Sequence, residues 1–263
     1  MIKYINLKNF KAGLKNFKQK KPFPYAVIDN FFKKDVAKKL EKEFPSYNDK
    51  NLHVYNNYCE VKKSLNNWNF FPPLTYKIFS ALNSYELINQ LSKKLKISTL
   101  FSDYGLHGGG WHLMDIKGKL NPHLDYSIHP KNYKQRKFNL IIFLTTGWKE
   151  KWGGETCIYY KNKKNSKIPG RVGKRIYPKF NRALFFDTSK LSWHSVDKIK
   201  AKKIRKSIAV YYLVSPPNKL FYKKQKALYA PAKSQEGNKK VLKFIKIRSS
   251  SNKFSKVYKT RKK

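Results

Sequence analysis

Only 15 acidic residues offset 59 lysines and arginines in this 263-residue chain, arginine occurs seven times, and there are two cysteines. Each shortage excludes something. Cys59 and Cys157 are too few for a disulfide framework and lack zinc-ligand spacing, which fits a reducing compartment and a packing role. No apolar run reaches the roughly eighteen residues a membrane helix needs. The basic N-terminus, "MIKYINLKNFKAGLKNFKQK", has no continuous apolar block and no small-residue cleavage site, so no secretory signal is read and a cytoplasmic protein is expected. The net charge of +44 invites a nucleic-acid partner through counterion release. Against that, the positive charge is mostly lysine spread along the whole chain, without the planar arginine forks that clamp phosphates and read bases. A solvated lysine-rich surface is the leading reading, and nucleic-acid contact stays open.

What is present is a core-forming composition, 40% hydrophobic and 16% aromatic, enough for one large domain. "KPFPYAVIDNFF" reads as an extended segment. In "KKDVAKKLEKEFP", Val36, Leu40 and Phe44 recur at four-residue spacing between Asp35 and Pro45, the pattern of a short amphipathic helix. A second helical region runs from about Leu74 to Leu95. From about residue 97 short apolar runs alternate with turn signals: "HGGGWHLM", "KLNPHLDY", "FNLIIFLTTGW", "GGETCIYY", "RALFFDT" and "KSIAVYYLV". This order predicts an antiparallel sheet structure closed or layered on itself, mainly β with helices packed outside. From about Pro216 the text turns polar and basic and reads as a surface appendage.

The chemistry-bearing stretch is "NPHLDYSIHP". His123 and Asp125 lie two apart in a strand-like segment, where alternate side chains share a face. Such a pair arises by chance about 0.2 times in a chain of this content, so alone it is weak and compatible with an imidazole bonded to a carboxylate in a turn. Its company is His194 in "LSWHSVDKI" and Arg205, which opens "RKSIAVYYLVS" with Arg205, Ser207, Ala209 and Tyr211 on one face. Two histidines and one carboxylate on one side of a metal leave positions free for a chelating co-substrate and dioxygen.

The order His123-x-Asp125, His194, Arg205 resembles the 2-oxoglutarate and Fe(II)-dependent oxygenases, in particular their prolyl 4-hydroxylase-like branch. The resemblance spans about residues 104 to 217, and "PFPYAVIDNFF" looks like the strand that begins such domains. It implies a double-stranded β-helix, a cupin-like jelly-roll. Residues 1–96 would supply its first strand and supporting helices, 97–217 its core, and 218–263 a basic C-terminal extension. By the same resemblance His123, Asp125 and His194 would hold Fe(II), Arg205 would pair with the distal carboxylate of 2-oxoglutarate, and Ser207 would add a hydrogen bond. O2 would be the second co-substrate, with ascorbate as reductant. The activity implied is hydroxylation of a C–H bond, most naturally in a prolyl or other residue of a protein or peptide, with release of succinate and CO2. The same chemistry on nucleic acid or a small metabolite, and a silent binding module, are the alternatives. One departure stands out: Phe143 occupies a place where relatives often carry a tyrosine that bonds the co-substrate, a loss of about 0.5–1.5 kcal/mol in binding.

Other residues have plainer readings. His129 is a rival third ligand on the alternating face, but Pro130 and the polar loop after it predict a surface turn. The glycines between His107 and His112 predict a bulge or close backbone approach, with a substrate contact from either histidine open. "WGGE" predicts a hairpin turn. Tyr126, Trp148, Trp152 and Trp193 are expected in core or rim packing, any of them free to line the pocket.

Overall fold

A computed structural model of the chain describes residues 2–216 and 227–250. Its strands are β1 (Tyr25–Ile28), β2 (His53–Asn56), β3 (Glu60–Leu65), β4 (Phe101–Ser102), β5 (Gly110–Met114), β6 (Lys119–Leu124), β7 (Gln135–Phe143), β8 (Thr156–Lys161), β9 (Pro169–Ile176), β10 (Arg182–Asp187), β11 (His194–Val196), β12 (Arg205–Val214) and β13 (Leu228–Tyr229). The helices are α1 (Leu7–Gly13), α2 (Lys34–Lys42), α3 (Pro73–Leu82), α4 (Tyr85–Leu95) and α5 (Lys239–Arg248). All strand pairings are antiparallel, in the order β1-β10-β7-β12-β5-β3-β6-β11-β8-β9. The order folds over on itself as a nearly closed barrel, the double-stranded β-helix that the sequence predicts. No helix among the described residues is long and apolar enough to cross a membrane.

Strand alternation separates two environments. On β7, Phe138, Leu140 and Ile142 face the helices, while Asn139, Ile141 and Phe143 face the opposite side. On β12, Ile208, Val210 and Tyr212 join the helical core, and Arg205, Ser207, Ala209 and Tyr211 line the interior cavity. The helical core is aromatic: Phe185 meets Phe10, Phe17, Phe138 and Tyr212 at centroid distances of 4.9–6.4 Å. Each such fully buried phenylalanine contributes about 1.5–3 kcal/mol of transfer free energy.

Several local features differ from the sequence expectation. The helical region expected from 74 to 95 is two helices, because Ser84 ends one and begins the next. Its hydroxyl donates to the Ala81 carbonyl (2.8 Å) and accepts from the Leu87 amide (3.3 Å). The hairpin β2–β3 lies in a stretch with no predicted strand, and β3 pairs with both β5 and β6, bridging the two halves of the barrel. Lys62 and Lys63 interrupt the apolar alternation there, which hides the strand. The basic leader is structural, since Ile2, Ile5, Phe10, Leu14 and Phe17 are buried in the core. "WGGE" is not a hairpin: β7 and β8 do not pair, and Gly153 and Gly154, both at positive φ, carry the chain across from one to the other.

Part of the C-terminal region expected as an appendage from residue 218 also packs. β13 pairs with β6, placing Tyr229 opposite His123, and Ala227 and Tyr229 pack with Cys59 against Phe244 and Ile245 of α5. Four apolar residues, Ala227 to Ala230, in a basic background give no periodicity to read. The tail beyond residue 250 lies outside the described residues. Both cysteines are free and buried. Burial pushes each thiol up to about 12, consistent with a packing role.

The glycine-rich segment before β5 allows a close backbone approach. Gly110 has φ +87°, and a Cβ there would stand 2.2 Å from the Leu65 carbonyl oxygen and 2.8 Å from Asn66 Cα. These are backbone atoms of the β3 end and cannot swing away. Gly110→Ala is expected to destabilise the protein by about 2–4 kcal/mol, read as a lowered urea midpoint with unchanged slope. A midpoint equal to that of the native chain would show that the β3–β5 contact does not need the glycine.

Candidate metal centre and its anion pocket

β11 pairs with β6 so that His194 stands directly across from His123, with ring centroids 4.1 Å apart. A register irregularity between His194 and Val196 lets Leu120, His123, His194 and Val196 all line the same cavity. Asp125 follows immediately after β6. Its Oδ1 is 3.7 Å from His123 Nε2 and its Oδ2 is 3.9 Å from His194 Nε2. One donor atom from each of the three residues lies within 4.8 Å of the others, the only such group of three or more His, Cys, Asp or Glu among the described residues.

The two imidazoles are held the same way. His123 Nδ1 lies 2.9 Å from the Asn121 carbonyl and His194 Nδ1 lies 2.8 Å from the Ser192 carbonyl. A carbonyl only accepts, so each Nδ1 carries the proton and each Nε2 presents a lone pair to the centre. Burial, with the neighbouring His194, pushes the pKa of His123 down to about 3, so it is neutral at physiological pH. Tyr229 stacks on His123 at 5.2 Å with the planes 15° apart. For Asp125, burial opposes ionisation, but His194, His123 and Arg136 and the Tyr211 hydrogen bond hold its pKa below the usual carboxylate value. Two imidazole nitrogens and a carboxylate converging on one point fit a borderline divalent metal such as Fe(II).

Arg205 lies on the same cavity wall and is buried. Its Nε donates to the Gly154 carbonyl (2.9 Å), its two terminal nitrogens to Thr156 Oγ1 (3.1 Å) and Ser207 Oγ (3.4 Å), and its guanidinium lies 4.8 Å from the Phe143 ring centroid. A Cβ on Gly154, which has φ +78°, would stand 3.2 Å from Arg205 Cδ, so the glycine makes room for the side chain. Burial lowers the guanidinium pKa to about 10, still charged at neutral pH. No carboxylate among the described residues pairs with it. Glu155 acts on it only through space, so burying the guanidinium is costly and a bound anion lowers the cost. The cavity between Arg205 and the His/Asp/His group is about 70 Å³.

His123, Asp125, His194, Arg205 and Ser207 therefore converge on one cavity. His129 does not. Its side chain is buried rather than on a surface turn, with Nε2 3.3 Å from Asp103 Oδ1 and Nδ1 accepting from the Lys131 and Asn132 amides. Pro130 and the polar loop hid this because the partner, Asp103, comes from a distant segment. His107 packs against His129 and Tyr126, whereas His112 lines the cavity opposite Ser207. Tyr126, Trp148, Trp152 and Trp193 do not line it. Sequence reasoning missed Asn139, Thr156 and Lys62, which do. Asn139, a lone polar residue inside the run "FNLIIF", was the one available signal.

A family model described as the 2OG-Fe(II) oxygenase superfamily matches residues 110–213, the stretch that carries His123, Asp125, His194 and Arg205. Prolyl 3-hydroxylase OGFOD1 of Xenopus laevis is 24% identical over 232 residues, covering 81% of this chain. The chain spans 40% of the length of that relative. A prolyl-4-hydroxylase from Pseudomonas putida superposes with a TM-score of 0.58 at 13% identity, over 78% of this chain and 99% of the other. A Trichoplax adhaerens prolyl hydroxylase, solved with a hypoxia inducible factor oxygen degradation domain peptide fragment, superposes with a TM-score of 0.56 at 14% identity, over 79% and 91%.

The depressed His123 pKa has a consequence for the metal-free chain. Unfolded, this residue takes a proton near its ordinary 6.5; folded, only near about 3. Between those values the unfolded state binds the extra proton, so stability falls as pH falls, by about 1.4 kcal/mol per unit from this group. Urea unfolding from about pH 6.5 to about pH 4.5 should show this contribution on top of those of His107 and His112, which burial also pushes down, and His123→Gln should reduce the slope by about 1.4 kcal/mol per unit. Equal slopes in the two chains would refute the assignment.

Proposed function

We propose that this protein is an Fe(II)- and 2-oxoglutarate-dependent dioxygenase that hydroxylates a C–H bond of a prolyl or other residue in a protein or peptide. The observation that carries the reading is the buried, unpaired Arg205 on the same cavity wall as the His123/Asp125/His194 group. That pairing of a metal-binding set with an anion pocket suits a dicarboxylate that chelates at one end and is held by charge at the other. The family match and the prolyl hydroxylase relatives support the chemistry and the polypeptide substrate.

In this reading His123, Asp125 and His194 hold Fe(II), which with 2-oxoglutarate and O2 supplies an oxidant strong enough for an unactivated C–H bond, releasing succinate and CO2. The chain's own residues bind, orient and exclude. The Nδ1–H bonds to Asn121 and Ser192 keep both imidazoles in the ligating tautomer. Arg205 pairs with the distal carboxylate of the co-substrate, while Thr156 and Ser207 fix the guanidinium. Phe143 supplies no hydroxyl to the co-substrate; its ring lies beside the Arg205 guanidinium. Ile141, Met114, Leu120 and Val196 line the cavity with apolar surface that limits water.

The test is succinate formation from 2-oxoglutarate under air with Fe(II) and ascorbate, with and without proline-containing peptides, whose products are examined for the mass of one added oxygen atom. His123→Ala should abolish turnover. Arg205→Ala should raise the half-saturating 2-oxoglutarate concentration at least about 30-fold, as expected for truncating one partner of a buried charged pair. A native chain that neither turns over nor binds Fe(II) anaerobically would overturn the proposal.

A further inference from the structure

Asp125 lies one residue beyond the end of β6, so no strand ladder fixes its side chain. Two side chains from neighbouring strands do. Tyr211 on β12 and Asn139 on β7 are cross-strand partners, and both reach the same carboxylate oxygen: the Tyr211 hydroxyl donates to Oδ2 at 3.1 Å and Asn139 Nδ2 donates to Oδ2 at 3.3 Å. Oδ1 accepts no hydrogen bond among the described residues. A carboxylate oxygen offers about two lone-pair sites, so two donors fill Oδ2 and leave Oδ1 with both free.

We propose that Tyr211 and Asn139 are positioning residues that select Oδ1 of Asp125 as the single oxygen presented to the metal. The inference rests on the metal-site reading above. Tyr211 is itself held from behind. The guanidinium of Arg136 lies 3.9 Å from its ring centroid, and one terminal nitrogen of Arg136 donates to the His107 carbonyl. Arg136 is buried and forms no ion pair among the described residues, so the nearby Asp125 is the negative group that compensates it through space. Asn139 has no second side-chain bond, since its Oδ1 is buried without a partner. The amide is therefore oriented by Asp125 alone. With both donors in place the carboxylate cannot turn to offer two oxygens, and the position it would otherwise cover stays free for a co-substrate.

The experiment uses the full metal-free chain. Mn(II) affinity is measured anaerobically by calorimetry, and the visible absorption of the Co(II)-loaded protein reports ligand geometry. Tyr211→Phe removes only the hydroxyl and keeps the ring under Arg136; Asn139→Ala removes the second donor. Each is expected to lower Mn(II) affinity by about 10–100-fold, the usual effect of losing a partner that orients a ligand. Each should also change the Co(II) absorption, as the freed carboxylate swings towards two-oxygen binding. A purely structural role would lower the unfolding midpoint and leave the Co(II) spectrum as it is. Unchanged affinity and spectrum in Tyr211→Phe or in Asn139→Ala, with a native chain that binds metal, would overturn this inference alone. A native chain that binds neither Mn(II) nor Co(II) would overturn the metal-site reading as well.

Discussion

The pairing of β11 against β6, with His194 facing His123, is the constraint on which the site depends. A shift of one residue in that register would turn His194 out of the cavity, because strand side chains alternate between faces. The register is held on both sides: β8 pairs with the far edge of β11, while β3 and β13 share the far edge of β6. The Nδ1–H bonds then fix each ring against the backbone two residues earlier. The mutual orientation of the two imidazoles is thus built into the sheet itself.

Behind that pairing, the barrel divides its labour by face. The outward rows of β7 and β12 are apolar and bind the helical layer, an aromatic core around Phe185. The inward rows carry the polar groups, Asn139 and Tyr211 towards Asp125, and Ser207 and Arg205 further along β12. Each buried polar group is costly to leave unpaired. Oδ2 of Asp125 is satisfied by Tyr211 and Asn139. Arg205 has hydrogen bonds, but no carboxylate among the described residues makes an ion pair with it and Glu155 acts on it only through space, which leaves a place suited to an anion.

Much of this was legible in the chain. The His-x-Asp pair, the later histidine and the arginine stand on segments whose alternation and order are readable, and the parity of "RKSIAVYY" placed Arg205, Ser207, Ala209 and Tyr211 together. The hairpin β2–β3 was not legible because Lys62 and Lys63 break its pattern, and the core role of the leader was masked by its lysines. The C-terminal Leu228–Tyr229 pairing was hidden because so short a strand has no period. His129 shows the limit most plainly: its partner Asp103 is distant in the sequence, and local text marks the residue as a surface turn.

The sequence by itself determined the kinds of side chain available and the face on which each strand residue falls, because a period of two follows from local backbone geometry. It therefore placed His123 with Asp125, and Arg205 with Ser207, Ala209 and Tyr211, on shared faces. The tertiary structure alone decided which faces meet: that His194 comes opposite His123, that Tyr211 and Asn139 converge on one oxygen of Asp125, and that Arg205 is buried with no carboxylate among the described residues in ion-pair contact. Those are facts of strand register and long-range packing, fixed by the burial of the whole core rather than by any local pattern.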